Sequence, residues 1–519
     1  MTPARRPDGD PGRLIAPLRH WARAAEDRPF LDFRDLEGSV TSFTYGEFYD
    51  RVRRLAAGLA GEGLRPGDRC VVHTGNSVGF MLAFWALQEA GAVAVPTIAQ
   101  YSADELRYVV RHSGAWGVVA GEGLLPVVGA ALDGLECRLI ADGTPAEAEL
   151  SLDALAASGD PEAGTGAGAP GDVALILYTS GTTSRPKGVM LGAAGSMYTA
   201  LSYAQQLRLR PDDVTLTCMP LFHVNGMFLQ MMPTVASGAR FVLTPRFSAS
   251  QYWSWVSEHG VTLAHLINGP IRLLLGAEER PGERDHAVRA MTFGLPLTGD
   301  EIRAFEARFG IPLAMVWGLT ETCCGATLMP VGFGARPGHQ NIGPAMIGWD
   351  VRAAGEDLAE LPDGEVGELL VRSPGVMLGY HRDPEATART LCDGWVRTGD
   401  LGYRDEAGYF HFVDRIKDML KPAGENVAAS EIEDVINAHP AVSECAVLGV
   451  PDRVRSETVV ALVVPAPVAS IAPEDVLAFC RQRLASFKVP AVVELRDALP
   501  KTSIGKIRKG ELRDELSRR

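Results

Sequence analysis

Residues able to do chemistry gather in a few short segments of the sequence. Residues 178–189, YTSGTTSRPKGV, carry an apolar run into hydroxyls and glycine, then into Arg185, Pro186 and Lys187. Thr179, Ser180, Gly181, Thr182 and Thr183 offer hydroxyls and backbone N–H groups suited to phosphate oxygens, and Lys187 adds positive charge. Gly188 follows the lysine, so this is not the G-x-x-x-x-G-K-[ST] loop of P-loop nucleotidases. A mobile surface turn is the plain alternative for such a cluster.

Residues 315–322, MVWGLTET, end an apolar run in Trp317, Gly318, Thr320 and Glu321. These supply an aromatic face for a purine, a hydroxyl for phosphate and a hard oxygen for Mg²⁺. A core Trp beside an exposed Glu is the competing reading. Residues 395–400, WVRTGD, followed by Asp414, Arg415, Ile416 and Lys417, put Asp400 in a turn where it could accept both ribose hydroxyls. Arg415 could donate to the same sugar, although turn aspartates are common without any such role. Residues 500–509, PKTSIGKIRK, set Lys506 behind Thr, Ser and Gly, as an anion-binding finger or as part of a solvated basic tail. His223, read alone, is an ordinary partly buried histidine.

The elements that must position these groups alternate. Helical spacing over 44–61 and 79–90 leads to strands at 69–73 and 91–96. Helices at 250–259 and 300–309 lead to strands at 261–267 and 312–317, and a further strand runs over 173–178. Such alternation predicts layered α/β architecture with sheets covered by helices. Residues 156–172 read as a Gly/Pro-rich connector, and 364–413 as turn-rich and strand-like. Beyond these come a helix over 430–439, strands over 445–450 and 458–464, a helix over 473–485 and a strand over 491–496. That is enough for a small separate α+β unit.

The 519 residues exceed one ordinary domain, and a formal charge of −14 argues against a general nucleic-acid or anionic-membrane binder. Eight cysteines without CxxC or Cys/His spacing point away from structural zinc and disulfides and towards a reducing cytoplasm. The N-terminus has no apolar stretch behind its arginines, so no signal peptide is expected. The greasiest run, 81–96, is too short to span a membrane and contains Gln88 and Glu89.

The segments occur in one order, and nearly the whole chain resembles the adenylate-forming superfamily of acyl-CoA synthetases, peptide-synthetase adenylation domains and luciferases. The likeness rests on YTSGTTSRPKG, PLFHVNG (220–226), WGLTE (317–321), RTGD (397–400), DRIKDMLKPAGENVAASEIED (414–434) and PKTSIGKIRK (500–509). TTSRPKG, PLFHVNG, and FVDR with AGENV are similar to the carnitine or crotonobetaine CoA-ligase branch. The resemblance implies a large N-terminal layered α/β domain (1–416), with two helix-packed sheets and a small β-rich subdomain. It also implies a small mobile α+β C-terminal lid (417–519).

The implied reaction is attack of a carboxylate on the α-phosphate of ATP, then displacement of AMP by the thiol of CoA. Lys506 is implied to bridge carboxylate and α-phosphate, Glu321 to hold Mg²⁺, and Thr320 to meet phosphate. The loop from Thr179 to Lys187 is implied to embrace the departing phosphates. Asp400 and Arg415 are implied to hold the ribose, with Trp317 and Gly318 at the adenine. Lys417 matches the hinge, Gly424 the pantetheine tunnel, and His223 a movable aromatic or histidine beside the acyl carbon. The chain departs from the usual pattern at Ser184, Trp317, Ala423 and Gly192, where Gly, Tyr, Gly and His are common. None of these removes a charge needed for the first step.

The acyl pocket is implied at His223, Asn225, Gly226, Met227 and Met231, facing Gly294, Leu295, Cys323, Cys324 and Gly325. Adaptable methionines suit a roomy apolar cavity, while some of them fill a core. No carboxylate in these segments suits a quaternary ammonium, so a bulky apolar acid, alicyclic or terpenoid, is expected. The Ala/Gly/Arg-rich composition is similar to that of actinobacterial natural-product ligases, including those for platensimycin- or platencin-type diterpenoid acids. A carnitine- or betaine-type acid held by an aromatic cage, a carrier protein as acceptor, and a non-catalytic acyl-adenylate binder are the alternatives. The expected partners are the acid, ATP and CoA, without nucleic acid or a membrane span, and a homodimer is open to it.

Overall fold

The computed structural model of the chain describes residues 13–143, 150–162, 172–179, 185–280, 282–331, 341–420, 427–452, 456–467, 470–486, 488–502 and 505–518. Local signals start its helices. Thr44 accepts the Glu47 N–H while the Glu47 carboxylate accepts the Thr44 N–H, fixing the start of helix Tyr45–Gly61. The same reciprocal cap opens Ala103–Ser113 at Ser102 and Gly299–Phe309 at Thr298. Phe48, Val52, Leu55 and Leu59 then form one buried stripe. Helix Val78–Glu89 is buried on nearly every side. Its polar end is satisfied by Gln88 donating to the Ala174 carbonyl and by Glu89 pairing with Arg19 at 2.9 Å. Among the described residues no helix is long and apolar enough to cross a membrane.

The chain divides into two compact units. The first takes the described residues of 1–179, 186–351 and 371–397, and holds two eight-stranded sheets. One runs Thr327–Leu328, Leu313–Trp317, Ala290–Gly294, Leu263–Ile267, Val214–Thr217, Arg240–Leu243, Pro29–Arg34, Val40–Thr44. The other runs Gly379–Tyr380, Lys187–Gly192, Val173–Thr179, Val93–Pro96, Arg69–His73, Ala115–Gly121, Arg138–Asp142, Leu150–Ser151. Their central strands are parallel and buried on both faces, which is why they read as continuous apolar runs. Asn76 fastens the loop after Arg69–His73 to the first sheet. Its Nδ2 donates to the Met219 and Thr244 carbonyls, and its Oδ1 accepts the Leu221 N–H.

The second unit takes the described residues of 180–185, 352–370 and 398–519. Strands Phe410–Arg415, Trp395–Arg404, Gly367–Arg372 and Asp350–Ala354 pair in that order. After them, Val442–Asp452, Ser456–Pro465 and Val492–Leu495 form a three-stranded sheet with helices Ala429–Asn437, Pro473–Arg481 and Lys509–Ser517. One core of this unit joins Val427, Ile432, Ile436, Val447, Val476 and Cys480, and another joins Leu448, Leu462, Leu499 and Leu512.

The protein is thus mixed α/β, with a large N-terminal and a small C-terminal part. Two local expectations differ from the structure. Residues 156–158 end helix Leu152–Ser158 rather than opening the connector, because Ser151 caps the helix start and Leu152 and Leu155 are buried. Within the strand-like stretch lies helix Pro384–Thr390, started by the Asp383 carboxylate on the Ala386 N–H and by proline in its first turn.

Candidate active site

Strands Val173–Thr179 and Lys187–Gly192 form an antiparallel hairpin that sets Thr179 opposite Lys187. Ser180, Gly181, Thr182, Thr183 and Ser184 lie outside the described residues. Strand Gly379–Tyr380 adds to the hairpin through Met190 and Val189, and brings the Tyr380 ring under Lys187, with Nζ 5.0 Å from its centroid. The Tyr380 hydroxyl donates to Glu321 Oε1 at 2.8 Å, and the Met377 N–H donates to the Glu321 carbonyl. Lys187, Tyr380 and Glu321 are therefore one array. Burial, and then the Glu321 charge, pushes the Tyr380 phenol well above its ordinary value, so it remains a donor.

Trp317 ends strand Leu313–Trp317 and is buried. The loop that follows folds on itself. Cys323 N–H reaches the Thr320 carbonyl, Cys324 N–H the Leu319 carbonyl, and Ala326 N–H the Trp317 carbonyl. Cys323 and Cys324 take positive φ, 49° and 86°, which is uncommon for side-chain-bearing residues and clusters at functional turns. A Cβ on Gly318 would stand 1.8 Å from the Cys324 carbonyl oxygen, so only glycine fits. This folding displays Thr320 and Glu321 together, both half-buried.

One carboxylate beside a hydroxyl donor suits Mg²⁺, which takes one or two protein carboxylates and completes its shell with phosphate oxygens and water. Among the described residues no cluster of three or more His, Cys, Asp or Glu forms a protein-only metal cage.

His223 precedes the short helix Val224–Gly226, half-buried, its ring 4.7 Å from that of Phe222. The chain then makes a single π turn, Met227–Met231, an irregularity often found at functional sites. Met227, Met231 and Gly226 are buried. Asn225 Oδ1 lies 3.2 Å from Cys324 Sγ, and its Nδ2 is 3.7 Å from where a Cβ on Gly294 would stand. Leu295, next along, has φ 68°. Asn225, Gly294 and Cys324 thus come together. Gly325 packs towards Met346, with Sδ 2.8 Å from its Cβ position.

In the second unit Asp400 and Arg415 are cross-strand neighbours, and Arg415 Nε donates to the buried Asp400 carboxylate at 2.6 Å. Gly399 N–H donates to Glu368 Oε1, and the Thr398 hydroxyl to the Leu369 carbonyl, which fixes the turn. Burial raises the Asp414 carboxyl, which accepts the N–H groups of Arg415 and Ser430. Lys417 is exposed in a 3₁₀ turn, and Arg513 of the last helix donates to its carbonyl and to Asp418. Gly424 and Ala423 lie outside the described residues. Lys506 is exposed in the turn between Lys501 and Ile507, its N–H held by Thr502 Oγ1, with Gly505 before it at φ 75°.

Sequence reasoning missed Tyr380, Asn76 and Glu368. Tyr380 left one trace, an aromatic after glycine in a turn-rich stretch, while Asn76 and Glu368 left none.

The AMP-binding enzyme family matches residues 18–381, and the AMP-binding enzyme C-terminal domain matches 431–506. The chain belongs to this family. It is 35% identical over 511 residues to a crotonobetaine/carnitine–CoA ligase of Citrobacter koseri, covering 95% of this chain and 98% of that one. ATP-bound MatB from Rhodopseudomonas palustris superposes with a TM-score of 0.86 at 31% identity, covering 98% of this chain and 99% of that one. MenE of Bacillus subtilis, an o-succinylbenzoate CoA synthetase holding its acyl-adenylate intermediate, gives 0.85 at 25% identity, covering 96% and 97%. This AMP-binding enzyme is an acid–CoA ligase that works through an acyl-adenylate, with ATP and CoA as substrates and Mg²⁺ as the usual ion.

Proposed function

We propose that this ligase activates a bulky, uncharged and largely apolar carboxylic acid and passes the acyl group to CoA. The carrying observation is the neutral meeting of Asn225, Gly294 and Cys324, with buried methionines behind it. No Asp or Glu occurs in 222–233, 294–297 or 323–325. Burying a cationic acyl group there would cost several kcal/mol, roughly, without a counter-charge.

In this reading the chemistry is charge neutralisation and positioning, since carboxylate and triphosphate repel each other. Thr179, Ser180, Gly181, Thr182, Thr183 and Lys187 receive the departing phosphates. Glu321, oriented by Tyr380, holds Mg²⁺, which when bound offsets phosphate charge. Thr320 donates to phosphate, and Trp317 with Gly318 borders the adenine. Asp400 and Arg415 take the ribose, and Lys506 engages both carboxylate and α-phosphate. His223 stands beside the acyl carbon. Movement about Lys417, at the boundary between 1–416 and 417–519, then exchanges Lys506 for the Gly424 tunnel. A lid of this kind keeps water from a hydrolysable adenylate.

A short betaine is the second reading, favoured by the Citrobacter koseri relative's name. Pyrophosphate exchange into ATP over a panel of alicyclic, terpenoid, aryl and betaine acids separates the two. Exclusive turnover of a betaine refutes the apolar acid. Free CoA against a pantetheinylated carrier as acceptor tests the final step.

A further inference from the structure

The sheet beneath the proposed acyl end is more polar than a core strand needs. In the parallel register Ile267 pairs with Gly294 and His265 with Thr292, so these positions share one face. Thr215 pairs with Leu263 on the neighbouring strand and joins that face. Thr215, His265 and Thr292 are almost wholly buried, as is Tyr203 on the helix above.

The Tyr203 hydroxyl donates to Thr292 Oγ1 at 2.8 Å, and Thr292 Oγ1 lies 3.0 Å from His265 Nδ1. With its oxygen occupied by Tyr203, the Thr292 hydroxyl can give its proton to Nδ1. That assignment gives the Tyr203 and Thr292 hydroxyl protons an acceptor each, and it leaves the ring hydrogen on Nε2. Nε2 is buried and has no hydrogen-bond partner among the described residues. Burial lowers His265 to about 3, so the ring is neutral at working pH.

An orphaned donor at this depth is costly unless something fills it. The position facing its ring carries no side chain, being Gly294. Within 4 Å of a Cβ placed on Gly294, only Asn225 Nδ2 at 3.7 Å and His265 Cε1 at 4.0 Å are met. Cε1 is bonded to Nε2. A second orphan, Gln230 Oε1, belongs to the π turn above. Gln230 stands one turn before Thr234, whose hydroxyl meets Thr215.

We infer that the acyl group carries one uncharged oxygen acceptor (carbonyl, ether or hydroxyl) remote from its carboxyl, and that His265 Nε2–H is its donor. This rests on the acid-activation reading and narrows the substrate to a mainly apolar acid bearing such an oxygen. His265 lies two residues before Ile267, about 6.6 Å further down the strand, so it reads the far end of the acyl group. A neutral imidazole selects against a cationic tail as well, since it offers no opposite charge. A site built around a hydrogen bond discriminates strongly against the analogue lacking it, because its own polar group is then left unpaired.

The test compares matched acids in pyrophosphate exchange: cyclohexanecarboxylic and cyclohexylacetic acids against their 4-oxo and 4-hydroxy counterparts. The wild-type protein should favour the oxygenated members by about ten-fold or more in kcat/KM. His265→Asn keeps an amide where Nδ1 stood and removes Nε2. It should bring the ratio of oxygenated to unsubstituted acid to within two-fold. Equal wild-type turnover of the matched acids overturns the inference without needing any variant to fold, and so does a preference that survives His265→Asn. Exchange with no acid at all refutes acid activation itself, a result distinct from exchange without preference.

Discussion

Removing one hydroxyl, in Tyr380→Phe, tests the array that links Lys187 to Glu321. The ring stays under the Lys187 ammonium at 5.0 Å, and only the 2.8 Å bond to Glu321 Oε1 is lost. A hydrogen bond to a charged group contributes about 1.5–3 kcal/mol. If that energy orients the carboxylate for its cation, it corresponds to roughly 10- to 100-fold in apparent Mg²⁺ affinity, the range typical of outer partners of metal ligands. The assay is pyrophosphate exchange at saturating acid and ATP with Mg²⁺ varied. The half-saturating Mg²⁺ concentration should rise by that factor while the melting temperature moves little. Tyr380→Leu, which removes the ring too, should lose about a further 0.5–2 kcal/mol through Lys187. An unchanged Mg²⁺ dependence in Tyr380→Phe, alongside an inactive Glu321→Gln, would refute the argument that Tyr380 positions the carboxylate.

Lys506 is exposed on its turn, so Lys506→Ala should leave the melting temperature within a degree or so. Exchange should nonetheless fall about 100-fold or more, the scale of losing a transition-state charge contact; near-normal exchange would remove the lysine from its role. Gly318→Ala forces a Cβ against the Cys324 carbonyl. It should cost about 1–3 kcal/mol by overpacking and displace Glu321, seen as lost exchange with a lowered melting temperature. Lys509 and Glu433 form a half-buried pair at 2.7 Å. Lys509→Met should destabilise the C-terminal part by about 1.5–3 kcal/mol by removing a charged hydrogen bond, measured by denaturant unfolding.

Burial holds His73 at about 4 and His265 at about 3. Between pH 6.5 and 4 the unfolded chain therefore binds protons that the folded chain does not. Stability contributed by these rings is fully present above pH 6.5 and falls as pH drops, by up to about 1.4 kcal/mol per unit for each ring. His265→Asn should flatten the slope between pH 6.5 and 5 in denaturant titrations.

What the sequence determined on its own was local. Helix Tyr45–Gly61 was legible because Phe48, Val52, Leu55 and Leu59 recur at helical spacing on one face. The strands were legible because both-sided burial demands unbroken apolar runs, and the motif segments because their residue types and order resemble one family. Helix Pro384–Thr390 was not, since a single turn-starting Asp-Pro pair carries it inside a stretch rich in turns.

Tertiary structure alone decided which distant residues meet. Tyr380 reaches Glu321 because a two-residue strand adds to the hairpin edge, 59 positions away in the chain. Asn225 meets Cys324 across 99 positions. His265 looks like any core histidine until the parallel register sets it beside Thr292 and near Gly294. Periodicity and capping depend on neighbours within a few residues, and a sequence shows those directly. Cross-strand register, close backbone approach and an unpartnered buried donor depend on how sheets pair, and they exist only once the chain has folded.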